Sequence, residues 1–328
     1  MQEYIIDFPK QLKEASTLVG GIKLGSRTEP IHNIIISGLG GSGFLADCLF
    51  DLCNDTIGVP IVANKGYSLP KFCDKNTLLI LVSYSGNTEE TVSCFHEAMS
   101  KGLKPICVSS GGKLKDLALN AGMDYIAMPT GFPPRASLAF GAANLFYVLN
   151  HFGVLSFDVA SSFSMLGTFL DSKQSDIKAT SKHYAVHFKN KILVAYAEDR
   201  IDGIALRLKQ QINENSKAFC WYNIIPELNH NELVGWKQQH HAIGTLFIRT
   251  SFENVRNKHR FDFLKPLLEN YVDEVLEIQA EGNSFFEQYF FLIHWCDWLS
   301  YYLALEHEQD PTEVRVIDNL KAYLNNIN

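Results

Sequence analysis

Cysteine pairs, basic runs and clean apolar spans are what this chain lacks. Its seven cysteines stand at 48, 53, 73, 94, 107, 220 and 296, an odd number with no C-x-x-C. That excludes a disulfide framework or a zinc knuckle, and the thiols read as small buried hydrophobes of a reducing compartment. With 29 Lys and Arg against 36 Asp and Glu, the formal charge is −7, and no Lys/Arg run offsets it. A nucleic-acid backbone needs a basic face, so binding of that kind is not expected. There is no H-E-x-x-H; His183 and His187 are one helical turn apart but lack a third ligand, so no metal is expected. The most apolar late segment, residues 285–305, is broken by Glu287, His294 and Asp297 and reads as a buried helix, not a membrane span. The N-terminal MQEYIIDFPKQLKEA has neither the basic start nor the apolar core of a signal peptide and reads as a first helix. The cytoplasm is the expected compartment.

What is present is organised around residues 78–91, LLILVSYSGNTEET. Residues 78–82 are an unbroken apolar run, the pattern of a parallel strand covered on both faces. Polarity then begins abruptly. Ser83, Ser85 and Thr88 supply three hydroxyls, Gly86 permits a tight turn, and Asn87 with Glu90 has the spacing of an N-cap and its reciprocal partner. A helix is expected to start at about Thr88, bringing free N–H groups and the positive end of its dipole to the hydroxyls. Such a place suits a phosphomonoester. As an isolated string, Ser-Gly-Asn is equally a plain connecting turn. However, residues 34–43, IIISGLGGSG, repeat the apolar strand and Gly/Ser turn, and two such turns can line one crevice at the carboxyl ends of parallel strands.

At 328 residues and 46% hydrophobic, the chain has room for two medium domains with a sizeable core. Strands are expected at 33–37, 59–63, 78–82, 105–109 and 125–128. Helices alternate with them from about 44 to 50, from 88 to 100 and near 114, followed by a small-residue helix over 138–152. A polar, Ser-rich passage, 160–181, separates the halves. A second alternation follows, with strands at 191–196, 219–225, 244–249 and 273–278 and a helix over 201–219. The helix at 285–305 and a terminal helix from Asp318 are expected to pack back across both halves. The fold class is α/β, two domains that are each a parallel sheet flanked by helices in three αβα layers, spanning 1–152 and 153–328. The boundary lies between about 152 and 188.

Three places outside the Ser turn can carry chemistry. Arg135, in PPRAS, stands at a helix entrance after stiffening prolines; it fits a surface salt bridge or a planar fork aimed at an oxyanion. NENSK (213–217) packs Glu214 between two asparagines on an amphipathic helix, where the plain reading is a solvated face. NHNE (229–232) places His230 in a loop, where a near-neutral imidazole is a ready proton carrier if the loop faces a site.

With GLGGSG (38–43), SYSGNTEET (83–91), SSGGKL (109–114), PPRASL (133–138), NENSK, NHNE and DPTEVRVIDNLK (310–321), the chain resembles the bifunctional phosphoglucose/phosphomannose isomerases of the sugar isomerase (SIS) domain proteins. The first two motifs alone resemble any SIS phosphosugar site; the last four narrow the match. The resemblance implies that Gly41, Ser42, Ser83, Ser85 and Thr88 hold the substrate, the latter three on its phosphate. It implies Glu214 as the base between C2 and C1, His230 as the ring-opening group and Arg135 as the cation facing the enediolate. Lys321 is implied as a further ring-opening partner and Thr312 as a candidate for discrimination at C2. It also implies a homodimer with the histidine lent across the interface. Ser216 stands where alanine is common.

The residue types fit that chemistry independently. Aldose–ketose isomerisation needs a carboxylate base, an acid and base for ring opening and a positive group where charge develops on O1 and O2, with no cofactor and no metal. The alternatives are a non-catalytic sugar-phosphate-binding regulator, which should carry a DNA-binding appendage not seen before residue 30, and an isomerase of another phosphosugar. An amidotransferase-type synthase would need a glutaminase domain ahead of the Ser turn.

Overall fold

The computed structural model describes residues 1–324 and 326. Two short helices open the chain, α1 (Gln2–Ile6) and α2 (Phe8–Leu18). An alternation follows: β1 (Asn33–Ser37), α3 (Gly40–Cys53), β2 (Ile61–Asn64), β3 (Thr77–Val82), α4 (Glu89–Ser100), β4 (Ile106–Ser109), α5 (Gly112–Asn120) and β5 (Tyr125–Ala127). All five strands are parallel, in the order β2-β1-β3-β4-β5. Every residue of β3 is buried, as a strand covered on both faces requires. Ile34 and Ile36 face the larger core with α3, whereas Ile35, Leu79 and Leu81 face α4 and α5, so α3 and α4 leave the sheet on opposite sides.

Helices α6 (Leu138–His151) and α7 (Val159–His187) lead to the second sheet. The Ser-rich passage is therefore not a loop but most of a 29-residue helix, with Phe163, Leu166, Leu170, Ile177 and Ala185 buried and its serines and charges largely on the other side. The second sheet has β6 (Ile192–Glu198), α8 (Asp202–Ser216), β7 (Cys220–Ile225), β8 (Ile243–Arg249), α9 (Val255–Leu268) and β9 (Glu274–Gln279), parallel in the order β7-β6-β8-β9. Helix α8 packs on the face of the large shared core, and α9 covers the other through Phe261, Leu264 and Leu268. Each half is thus the three-layer α/β arrangement expected.

Helix α10 (Phe285–Glu306) is the buried helix expected at 285–305, with Trp295 and Trp298 fully enclosed. It joins the halves: Tyr289 Oη donates to Asp51 of α3 (2.8 Å), and Asp51 also accepts from Gly203 N at the start of α8 (2.9 Å). Burial pushes the Asp51 carboxyl well above the usual range. No helix among the described residues is long and apolar enough to cross a membrane. The expectation fails at the terminal helix: α11 begins at Arg315, not Asp318, and none of its residues to Leu324 is buried. It does not pack across the halves, and Val316, Leu320 and Tyr323 point to solvent.

Candidate active site

Strand order reverses between β1 and β3 in the first sheet, and at such a point α3 and α4 diverge and leave a crevice at the carboxyl ends of the strands. Both Gly/Ser turns open here. Ser83 is buried, its Oγ 2.8 Å from Thr88 Oγ1 and accepting from Thr88 N at 3.4 Å. Ser85 is exposed and accepts from Asn87 N (3.2 Å); Ser42 Oγ accepts from Tyr84 N (3.2 Å), stitching the two turns together. Gly86 is obligatory: its φ is +68°, and a Cβ there would lie 1.7 Å from the carbonyl oxygen of Gly111.

The expected Asn87–Glu90 capping pair does not form. Thr88 is the N-cap, and Asn87 Oδ1 instead accepts from Lys113 N (3.0 Å). No side chain caps α4, so its first-turn N–H groups are open to an anion.

Gly41, in the first turn of α3, brings the second component. A Cβ on it would come within 3.1 Å of Arg135 Cα and Pro134 O, so a glycine lets the 134–135 backbone lie against the crevice. Arg135 is buried, not on the surface. Its Nε donates to Asn215 Oδ1 (2.8 Å), its Nη2 to the carbonyls of Pro311 (2.8 Å) and Thr312 (3.1 Å), and its Nη1 lies 3.2 Å from Glu214 Oε2. Burial lowers the guanidinium from its ordinary value, while Glu214, Asp297 and Asp310 oppose that shift.

Glu214 occupies the last turn of α8 and is partly exposed. It lines a groove of about 420 Å³ together with Lys217, Phe219 and the 313–317 segment. The solvated face expected here holds for Asn213, which is exposed, but not for the residue on the other side of Glu214. Asn215 is fully buried and donates from Nδ2 to Ser300 of α10 (2.9 Å). One turn and two turns earlier, Gln211 and Arg207 converge on Asp297, and Arg207 also donates to the Arg135 carbonyl (3.3 Å). Residue spacing in NENSK pointed to one carboxylate; the bracing role of Asn215 was legible only once α10 was in place.

Three expected site residues remain, and of these Thr312 touches Arg135. His230 is exposed, in a 3-10 turn after β7, whereas Glu214 precedes that strand. Six residues of strand at about 3.3 Å each separate the two by roughly 20 Å. The NHNE loop is nevertheless braced: Glu232 accepts from Tyr196 Oη (2.5 Å) and Asn223 Nδ2 (2.7 Å). Lys321 is exposed on α11, one turn beyond Ile317 of the groove. Thr312 presents its carbonyl to Arg135, and its hydroxyl accepts from the Met1 amino group (3.1 Å).

The equivalent crevice of the second sheet, between β6 and β8, is occupied by the protein's own carboxylate. Glu198 Oε1 accepts from Asn254 N (2.6 Å) at the start of α9 and from Asn257 Nδ2 (2.9 Å). In the first sheet, by contrast, the start of α4 has no side-chain cap and hydroxyls stand around it. Among the described residues, no group of three or more His, Cys, Asp or Glu is placed to hold a metal ion.

Comparison with known proteins bears on this geometry. The profile of the bacterial phospho-glucose isomerase C-terminal SIS domain matches residues 177–324. A bifunctional phosphoglucose/phosphomannose isomerase of Caldicellulosiruptor bescii is 34% identical over 99% of this chain and 98% of its own length. Its counterpart in Aquifex aeolicus is 36% identical over 90% of this chain and 91% of its own. Among solved structures, tagatose-6-phosphate ketose/aldose isomerase from Escherichia coli superposes with a TM-score of 0.72 over 94% of this chain and 93% of its own, at 18% identity, which shows the shared fold. With relatives of that identity covering nearly its full length, the chain belongs to the bifunctional phosphoglucose/phosphomannose isomerase family.

Proposed function

We propose that this protein interconverts glucose 6-phosphate and mannose 6-phosphate with fructose 6-phosphate through an enediolate. The observation that carries the reading is the contact between Glu214 and the buried Arg135 guanidinium, whose backbone lies against Gly41 in the same first turn of α3 from which Ser42 accepts from Tyr84 N of the Ser turn. The phosphate sits on Ser83, Ser85, Thr88 and the first turn of α4, with Gly41 and Ser42 along the sugar. Anchoring that remote end orients C1 and C2. Glu214 removes the C2 proton and returns it to C1 on the same face; Arg135 stabilises the negative charge that develops on the enediolate oxygens. The carboxylate and guanidinium hold each other at 3.2 Å, and substrate inserts its oxygens between them.

The ring-opening histidine comes from a second copy of the chain in a homodimer. The separation of His230 from Glu214 along β7 favours this, because the two cannot meet within one chain. Lys321 assists at the ring oxygen once α11 is covered by substrate or partner, and Thr312 borders C2. The seven thiols, all unpaired, suit a reducing cytoplasm. Each proton transfer is assigned to a side chain, so no metal is called for. The test is an assay of fructose 6-phosphate formation from each aldose phosphate, with and without a chelator. Turnover of both, unaffected by the chelator, is expected; turnover of neither overturns the proposal.

A further inference from the structure

Glu214 stands at the negative pole of α8, where a carboxylate is disfavoured by the last carbonyls of the helix. Two cations balance it. Arg135 is one; the other is Lys217, the residue that closes α8 in left-handed backbone at φ 53° and ψ 33°. Residues with a Cβ seldom adopt that conformation. Here it turns the side chain back over the helix end, and Nζ donates to the carbonyls of Glu214 (2.7 Å) and Asn215 (3.4 Å) and, across a gap, of Asp310 (2.7 Å). An ammonium has three N–H groups, so all are engaged by backbone and none is left for a substrate.

Asp310 is followed by Pro311 and Thr312, whose carbonyls accept from Arg135. Three successive carbonyls are therefore held by two cations, one anchored beside the base and one facing it. We propose that Lys217 is a positioning residue: its ammonium fixes Glu214 against Arg135 and offsets the helix pole on which the carboxylate stands. This rests on the assignment of Glu214 as the base. Burial lowers the Lys217 ammonium from its ordinary value, and the Arg135 charge adds to that, while Glu313, Asp310 and Glu214 oppose it. The charged groups facing Glu214 are Arg135 from the 134–136 turn, Lys217 from α8, and Glu313 and Arg315 from across the groove.

Lys217→Met keeps length and removes the ammonium; Lys217→Asn also removes it and suits left-handed backbone, so it carries the test if the methionine variant does not fold. Both neutral variants should lose turnover by about tenfold or more, with KM and inhibition by inorganic phosphate changed less than about twofold. The acidic limb of their kcat/KM profile should move up by about half a pH unit, and Lys217→Arg should restore it. A readout free of turnover is calorimetric binding of a phosphorylated aldonate, whose planar carboxylate mimics the enediolate. Its affinity should fall about tenfold in the neutral variants while that of inorganic phosphate holds. Folded neutral variants with wild-type turnover, acidic limb and aldonate affinity would overturn the proposal, leaving Lys217 a helix closure only. Equal losses of phosphate and aldonate affinity would overturn it too, by assigning the ammonium to the phosphate seat. Inactive wild-type protein would defeat the isomerase reading alone, since the comparison of aldonate with phosphate still decides the role of Lys217.

Discussion

Arg135 carries five N–H groups, and four are committed to Asn215, Pro311, Thr312 and Glu214, which leaves one Nη1–H for a substrate oxygen. A lysine has three donors on one atom and cannot span those acceptors. Arg135→Lys should therefore cut turnover by about 10²-fold or more while inhibition by inorganic phosphate changes little. Parallel losses in the two would reassign Arg135 to the phosphate. The seat itself is tested by Ser85→Ala with Thr88→Ala, which removes two neutral donors to a charged oxygen. At about 1.5–3 kcal/mol for each bond, KM should rise at least tenfold. Unchanged saturation by substrate and by phosphate would contradict the assignment. The family resemblance put Arg135 and Glu214 at the same enediolate, but residue spacing could not match them, because their contact depends on α8 lying against the 134–136 turn, a packing fact that no spacing encodes.

Strands covered on both faces were legible because burial forces a continuous apolar run, as in β3 and β6. Helices were less so. The first turn of α3 is Gly-Gly-Ser-Gly, poor helix formers held helical by close backbone contacts, so its start at Gly40 was masked. Helix α9 was missed altogether: it contains Pro266, one of its four buried positions is the polar Asn257, and the exposed apolar Val255 and Phe263 blur the stripe that Phe261, Leu264 and Leu268 make. Helix α10 stood out by its length and apolarity, yet it hides His294, stacked on Phe8 with Nδ1 unpartnered and Nε2 accepting from Trp298 (3.4 Å). Burial lowers this imidazole to about 3. It stays neutral in the fold, whereas the unfolded chain takes up a proton near 6.5. Stability from this group is therefore present above pH 6.5 and lost as pH falls toward 3. Between pH 7 and pH 5 the wild type should lose about 2 kcal/mol more than His294→Phe in denaturant titrations. Parallel curves for the two proteins would contradict a neutral buried His294.

Two parallel sheets with one open crevice make a molecule whose chemistry is gathered at the junction of its halves. In the proposed reading the first half supplies the phosphate seat and Arg135, and the second supplies Glu214 and, at the far end of β7, His230. If His230 serves the site of the other subunit, mixing Glu214→Gln and His230→Ala chains should regenerate one intact site in each mixed dimer. Random exchange should then recover about a quarter of wild-type turnover with cyclic substrate. No recovery despite demonstrated exchange would place both groups in one chain's site. The central claim is that Glu214 carries the proton between C2 and C1. The most direct measurement follows exchange of the C2 proton of an open-chain substrate analogue with deuterated solvent, which bypasses ring opening and His230. Wild-type protein should exchange it, and Glu214→Gln should slow that exchange by at least about 10²-fold with phosphate binding intact. Exchange at the wild-type rate in the Gln variant would contradict the account.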